Sequence, residues 1–210
     1  MKILLATIPD GPLSGTIEPN LKEDNSANYV FAPLGILRVA AYIEKNNFET
    51  EIYDINSTRG TDEDLIKNFK RIKPDVIGLS GPLTHCYPNL KRITKILRKL
   101  FPDSWLITGG AITASANVIL EKSHTDICVV GDGEIAFLKL LQYLKENPSR
   151  EKIDYSKLDQ IKGLAYIDER NKLKVNGNAE ALTAAEASLI HYPNYDVLKD
   201  SLEKNAGAGQ

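Results

Sequence analysis

Five short apolar runs alternate with five amphipathic stretches over the first 147 residues, and this alternation constrains the fold more than any other feature. The runs are Lys2–Ile8, Glu49–Asp54, Val76–Ser80, Trp105–Thr108 and Asp126–Val130. Rich in Ile, Val and Leu, they have the composition of central parallel strands covered on both faces. Leu34–Asn46, Asp62–Ile72, Leu90–Leu100, Ala114–Lys122 and Glu134–Glu146 read as helices. Leu34, Leu37, Ala41 and Lys45 mark one face of the first of these. Pro33 stands just before it, where a first-turn proline is tolerated. Thr61 can cap the second helix, and Asp62, Glu63 and Asp64 suit the positive end of its dipole. Pro74 and Pro102 end helices shortly before the third and fourth strands.

Strict strand–helix alternation implies parallel strands with right-handed crossovers. The expected fold is α/β: a flavodoxin-like, doubly wound, five-stranded parallel sheet, with strand order 2-1-3-4-5 by analogy with that fold. Three strands end in small-residue turns that open helices: Leu79-Ser-Gly-Pro-Leu-Thr84, Thr108-Gly-Gly-Ala111 and Val129-Val-Gly-Asp-Gly-Glu134. Such turns form the carboxyl edge of an open sheet, where ligands bind. The first connection, Pro9–Ala32, is far longer than a compact loop of about 2–6 residues. With Gly11, Pro12, Gly15 and Pro19, it reads as a functional loop at that edge. After Asn147 the pattern changes. Pro148–Gln160 is charged and reads as a linker. Ile161–Ile167 and Lys172–Val175 flank Asp168-Glu-Arg-Asn171 as a β-hairpin, and the last residues from Asn205 read as a flexible end. The expected division is therefore residues 1–147 as a Rossmann-like domain and residues 148–210 as linker, hairpin and tail.

Composition narrows the function classes. The net charge of −2, from 26 basic and 28 acidic residues, argues against nucleic acid as the main partner. No apolar run approaches the roughly 18 residues of a membrane span, and the brief apolar start is not a signal peptide. Cys86 and Cys128 are far apart, so this sequence has no thiolate spacing for a zinc site or an iron–sulfur cluster. Unpaired thiols suit a reducing, cytoplasmic setting. No GxGxxG follows the first strand, as a dinucleotide fold would require.

The order and spacing of these turns resemble the N-terminal cobalamin-binding domain of cobalamin-dependent radical S-adenosylmethionine enzymes. Ala32-Pro-Leu-Gly-Ile-Leu37 with Ala40-Ala-Tyr-Ile43 is similar to the helix that opens that domain. Ile161-Lys-Gly-Leu-Ala-Tyr166 and Tyr192-Pro-Asn-Tyr-Asp-Val-Leu198 resemble the segment leading into the radical domain. The resemblance implies cobalamin as cofactor. It implies a radical domain in the same or another chain as partner, bearing the 4Fe-4S cluster and S-adenosylmethionine. That domain's three-cysteine motif is absent from these 210 residues. An N-terminal piece of a methyltransferase, inactive alone, is the leading expectation. A natural stand-alone cobalamin module is the other form of that reading.

The resemblance also implies the binding positions. Gly109, Gly110 and Ala111 would let the nucleotide tail approach the backbone, since glycine projects no Cβ. Ser80 and Thr84 offer hydroxyls to the tail, or else bond locally in their turn. Gly81 and Leu83 accompany them, with Leu83 one position later than the family's Ser-x-Leu. Gly131, Asp132, Gly133 and Glu134 would meet corrin amides or the ribose, while Asp132 could also cap the helix. Acidic groups here disfavour a polyphosphate at the helix start. Ile8, Pro9, Leu34 and Gly35 complete the expected set, and Leu13 would lie with Ile8 and Pro9 beneath the corrin. No catalytic residue and no metal ligand is expected. The first histidine is His85, so the first loop cannot offer cobalt an imidazole. His85, His124 and His191 read as polar surface residues, Cys86 and Cys128 as small buried ones, and Phe31, Tyr42 and Tyr87 as packing residues. The run from Lys91 to Lys99 reads as a solvated helix face. The alternative is a flavodoxin-like binding or regulatory module without corrinoid. A receiver-type module would want an aspartate ending the third strand, where Ser80 stands.

Overall fold

A computed structural model of the chain describes residues 1–10, 33–58, 60–188 and 190. Strands β1 (Ile3–Thr7), β2 (Thr50–Tyr53), β3 (Val76–Ser80), β4 (Trp105–Gly109) and β5 (Ile127–Val129) pair in parallel in the order β2-β1-β3-β4-β5. This is the expected doubly wound arrangement, with one correction. The sheet has seven strands, not five. The hairpin β6 (Leu164–Ile167) and β7 (Leu173–Val175) continues the same sheet antiparallel to β5. Leu164 and Tyr166 bury on one face and Ala165 on the other, so β6 finds cover on both sides and joins the core.

Alternation along each strand divides the core in two. Ile3, Leu5, Ile107, Ile127 and Val129 face α1 (Leu34–Lys45) and α6 (Gly133–Glu146). Leu4, Ala6, Ile77, Leu79, Leu106 and Cys128 face α3 (Asp62–Ile72), α4 (Tyr87–Leu100) and α5 (Ala116–Lys122). A fully buried Leu, Ile or Phe side chain contributes about 1.5–3 kcal/mol. A short helix α2 (Ile55–Thr58) follows β2, and 3-10 turns at Thr84–Cys86 and Ala111–Ser115 lead into α4 and α5.

Local signals explain the helix boundaries. Thr61 caps α3 in a reciprocal box: its hydroxyl accepts from the Asp64 amide, and the Asp64 carboxylate accepts from the Thr61 amide at 3.0 Å. The Thr61 amide and hydroxyl hold the Asp64 carboxyl below its ordinary range. Pro33 is the N-cap of α1, its carbonyl accepting from the Ile36 and Leu37 amides. The buried stripe of α1 is Ile36, Leu37, Ala40 and Ile43. Leu34 lies off that stripe and is 52% exposed.

Residues 148–160 are packed rather than a free linker. Ile153, Tyr155 and Leu158, the last two on α7 (Tyr155–Leu158), join the α1/α6 core. The Trp105 indole donates to the Pro148 carbonyl at 3.0 Å, and the Asp154 amide donates to the Tyr143 hydroxyl at 2.8 Å. Arg150 donates to the Asp126 carboxylate. Three well-placed apolar side chains and one arginine bury a segment whose composition is otherwise charged. Beyond β7 the chain passes beside the turn after β5. The Asn176 amide donates to the Leu164 carbonyl at 2.8 Å, and Ala179 fills the space beside Gly131 and Gly163. Lys139 on α6 then pairs with Glu180 at 2.8 Å, before α8 (Ala184–Ser188).

Candidate functional site

The turns after β3, β4 and β5 meet above the carboxyl edge, beside the starts of α1 and α6. They enclose a cleft of about 240 Å³ between those helices. Its walls are apolar: Leu5, Ile36, Val39, Ile107, Val129 and Phe137. Its floor reaches Gly78 in the middle of β3, where a Cβ would sit 2.6 Å from the Leu5 side chain. Polar groups stand at the rim: Ser80, Arg38, Asp132 and Glu134.

The glycines have distinct roles. Gly110 (φ 83°) and Gly131 (φ 87°) adopt left-handed backbone, which L side chains avoid. A Cβ at Gly110 would lie 2.6 Å from the Gly81 carbonyl oxygen. This turn is tied by the Gly81 amide donating to the Gly109 carbonyl and the Ile112 amide donating to the Gly81 carbonyl, both at 3.1 Å. Gly109 is different. Its nearest neighbour to a built Cβ is the Val129 carbonyl at 4.0 Å, and Gly35 has nothing within 4 Å. Those two open positions leave room for a ligand against bare backbone.

Glu134, in the first turn of α6, is almost fully buried, and its carboxylate pairs with the Arg38 guanidinium at 2.8 Å. Asp132 is the N-cap of α6, yet its side chain makes no capping hydrogen bond. The capping role expected of it is therefore not formed, and the exposed carboxylate stands at the cleft rim. The Ser80 backbone carbonyl accepts from the Ile8 amide at 2.8 Å, and Ser80 lines the cleft.

The cleft thus gathers the expected Gly35, Ser80, Gly109, Gly110, Gly131, Asp132, Gly133 and Glu134. Others stand around it. Ile8 belongs to the opposite core face, and Pro9 is buried with its carbonyl accepting from the Asn89 amide nitrogen at 2.9 Å. Gly81 is buried in the β3 turn, while Leu83, Thr84 and Ala111 are exposed on the adjoining turns. Leu34 is exposed at the head of α1. Leu13, Phe31, His191, Tyr192–Leu198 and the long first loop from residue 11 to 32 lie outside the described residues. Arg38, Val39, Gly78 and Phe137 line the cleft unforeseen. Arg38 and Val39 share the helical periodicity of α1 with Gly35, which was the available signal.

Among the described residues, the histidines and cysteines lie outside the cleft. His85 is exposed on the 3-10 turn before α4, and His124 is exposed after α5. Cys86 and Cys128 are both buried and free, and burial pushes the Cys128 thiol up to about 12. Burial, aided by the Glu186 and Glu134 carboxylates, raises the Tyr42 phenol above its ordinary value. Arg98 is not on a solvated face as expected: it pairs with Asp126 at 2.7 Å. Among the described residues no group of three or more His, Cys, Asp or Glu side chains could hold a metal ion. No helix among them is long and apolar enough to cross a membrane.

An open α/β sheet with a preformed, largely apolar cleft at its carboxyl edge defines a small-molecule-binding domain. The chain belongs to the B12 binding domain family, whose model matches residues 25–141. It is 26% identical over 161 residues to the cytidylyl-2-hydroxyethylphosphonate methyltransferase of Streptomyces wedmorensis, covering 68% of this chain and 29% of that protein. An uncharacterised methyltransferase of Pyrococcus horikoshii is 23% identical over 168 residues, covering 79% and 34%. Its fold is similar to that of the cobalamin-dependent S-adenosylmethionine radical enzyme OxsB, solved with aqua-cobalamin and S-adenosylmethionine bound (TM-score 0.71, 20% identity, 97% of this chain and 25% of that one). It is also similar to the radical S-adenosylmethionine methyltransferase TsrM from Kitasatospora setae, solved with cobalamin and a [4Fe-4S] cluster (TM-score 0.65, 17% identity, 87% and 30%). The chain spans about a quarter to a third of the length of these proteins.

The residues present fit a corrinoid. Cobalamin is much larger than a 240 Å³ cleft, which lies below the usual range of about 300–1,000 Å³ for small-molecule pockets. The apolar depth suits a flat aromatic base, and the open backbone at Gly35 and Gly109 leaves space for the bulk outside.

Proposed function

We propose that this chain is the cobalamin-binding module of a radical S-adenosylmethionine enzyme, a methyltransferase when complete. In this reading residues 1–147 form the binding body and residues 148–210 lead toward a radical domain, in the same or another chain. The aromatic base of the nucleotide tail enters between α1 and α6, held by the apolar walls and by Gly78. Ser80 and the backbone at Gly109, Gly110 and Ala111 meet the tail. Gly131, Asp132, Gly133 and Glu134 meet the polar periphery. Leu34, Gly35, Leu83 and Thr84 frame the edge on which the corrin rests, with the buried Ile8, Pro9 and Gly81 supporting it from behind. Cobalamin, when bound, supplies a cobalt able to carry a methyl group. The chain's part is to take the tail, orient the ring and shield one face of it from water. The observation that carries this reading is the cleft itself, built from the turns of a span that matches the family.

The test is retention. The purified chain mixed with hydroxocobalamin should leave gel filtration with a corrinoid spectrum near one equivalent. Elution of the protein without corrinoid after mixing at tens of micromolar would overturn the reading. A second readout addresses the cobalt. Among the described residues the histidines, His85 and His124, lie outside the cleft, and in this reading the benzimidazole is drawn into it, so electron paramagnetic resonance of the cobalt(II) form should lack nitrogen superhyperfine splitting. The chain alone should form no 5′-deoxyadenosine from S-adenosylmethionine, because Cys86 and Cys128 cannot assemble a thiolate-held cluster.

A further inference from the structure

Among the described residues lining the cleft, Arg38 is the one cation. Its side chain is half exposed, yet it is fixed: one terminal nitrogen pairs at 2.8 Å with Glu134, whose side chain is only 9% exposed. A guanidinium carries five donors in a rigid fork. The pair with Glu134 engages one terminal nitrogen of this fork, on a side chain that lines the cleft. Below lies the apolar cleft ending at Gly78, Leu5 and Phe137. The chemistry is thus layered, with space for an aromatic group in the depth and one fixed cation above it. Asp132, exposed at the same rim without a capping bond, opposes any ligand carrying several phosphates.

We propose that Arg38, positioned by Glu134, reads the single phosphodiester of a nucleotide-bearing corrinoid and makes the site selective for corrinoids with that tail. The inference rests on the cobalamin reading above and adds to it a residue and a specificity. Arginine suits this task because its fork matches phosphate oxygens and its charge persists at every accessible pH. Glu134 contributes here by holding the fork, in addition to facing the polar periphery of the corrinoid, and its charge is balanced by Arg38 in the free protein. The Arg38–Glu134 pair is neutral, so one phosphodiester adds its charge to that of Asp132 at the rim, and each further phosphate would add to the repulsion.

The experiment compares hydroxocobalamin with cobinamide, which lacks the phosphodiester and base, by equilibrium dialysis on the whole chain. Arg38→Gln should weaken hydroxocobalamin at least tenfold, in line with loss of one charge-assisted hydrogen bond, and change cobinamide less than twofold. Arg38→Lys should fall between. Because Arg38→Gln leaves Glu134 unpaired, the double variant Arg38→Gln/Glu134→Gln is measured too, and it should remain weak for hydroxocobalamin. Recovery of wild-type affinity in the double variant would show that the stranded carboxylate caused the loss, and would overturn the proposal. So would an equal loss for both corrinoids. Where cobinamide binds too weakly to titrate, ionic strength discriminates instead. Hydroxocobalamin affinity should fall with salt in the wild type and respond less in Arg38→Gln, and parallel salt curves would overturn it. Failure of the wild type to take up either corrinoid is a separate result that removes the cobalamin reading itself.

Discussion

The two ends of the same parallel strands are finished in opposite ways. At the amino end a partly buried ionic network ties the strands together. The Asp126 carboxylate accepts from the Leu106 amide at 2.7 Å, from Arg98 at 2.7 Å and from Arg150. Arg98 also donates to the Pro102 and Ser104 carbonyls, and the Ser104 hydroxyl donates to the Pro74 carbonyl at 2.6 Å. At the carboxyl end, by contrast, two turns run through left-handed glycines, Asp132 caps nothing with its side chain, and Gly109 faces open space. Partly buried ionic networks lock geometry, and breaking one strands a charge. Bare glycine backbone leaves room and exposes amides. The fold therefore separates holding the chain together from receiving a ligand, and places each at one end.

That contrast can be broken by experiment. The largest effect is expected from Gly109→Leu. The new side chain has room at its root, with nothing nearer than 4.0 Å, and projects into the cleft. Hydroxocobalamin retention should be lost, a drop of about a hundredfold or more, while circular dichroism stays unchanged. Full retention would place the ligand elsewhere. Gly110→Leu is a poorer probe, since φ 83° and the Gly81 carbonyl would strain the backbone with or without a ligand.

Asp126→Ala tests the other end. Removing the carboxylate leaves Arg98 and Arg150, both partly buried, without their shared partner. A loss of about 3 kcal/mol is expected, a fall in Tm of roughly 6–12 °C, with the affinity of the remaining folded protein for hydroxocobalamin unchanged. A large change in that affinity would mean the two ends are not independent.

Between the ends lies the dry interior, which Cys128 reports. The unfolded thiol ionises near 8.5, whereas burial raises it to about 12 in the fold. Above pH ~8.5 the unfolded chain gives up a proton that the folded chain keeps. Stability from this group is thus intact below that pH and falls by about 1.4 kcal/mol per pH unit through the window up to the folded value. Cys128→Ala should flatten the alkaline loss measured by urea unfolding between pH 8 and 10. Equal slopes would show a wetter interior. The smallest effect belongs to Thr61→Ala. The start of α3 follows β2 at the carboxyl end, but its capping box is closed. About 1 kcal/mol of stability should go, seen as roughly 2–4 °C in Tm, with retention intact. A change in retention would extend the binding region beyond the cleft.

How much of this was legible in the sequence depends on whether the signal was local. Val76–Ser80 and Asp62–Ile72 match β3 and α3 residue for residue, because an apolar run and a capping box are written in adjacent letters. The glycine turns were legible for the same reason. Gly78 was not: a glycine inside an apolar run reads as a weak strand position until Leu5 and Phe137 are seen beside it. Arg38 looked like an ordinary exposed helix residue until its pairing with Glu134, nearly a hundred positions on, brought it to the cleft. The charges of residues 148–160 masked Ile153, Tyr155 and Leu158, whose burial depends on Tyr143, Trp105 and Asp126 being placed first. The hairpin was foreseen, but its attachment to β5 is a long-range pairing that no local pattern encodes.

The nesting of Ala179 against Gly131 and Gly163 has an evolutionary consequence. A Cβ at Gly163 would lie 2.7 Å from the Ala179 Cβ, and one at Gly131 3.3 Å from it. Both glycines also have positive φ, so neither can yield by mutation without a second penalty. The burden of fit falls on position 179. Across an alignment of relatives with this hairpin, positions 131 and 163 should be nearly invariant, while 179 drifts only among glycine, alanine and serine. A lineage with a large residue at 179 should show a rebuilt turn after β5, and with it a reshaped rim, so mutation in the tail of this chain would be recorded as divergence at its ligand edge.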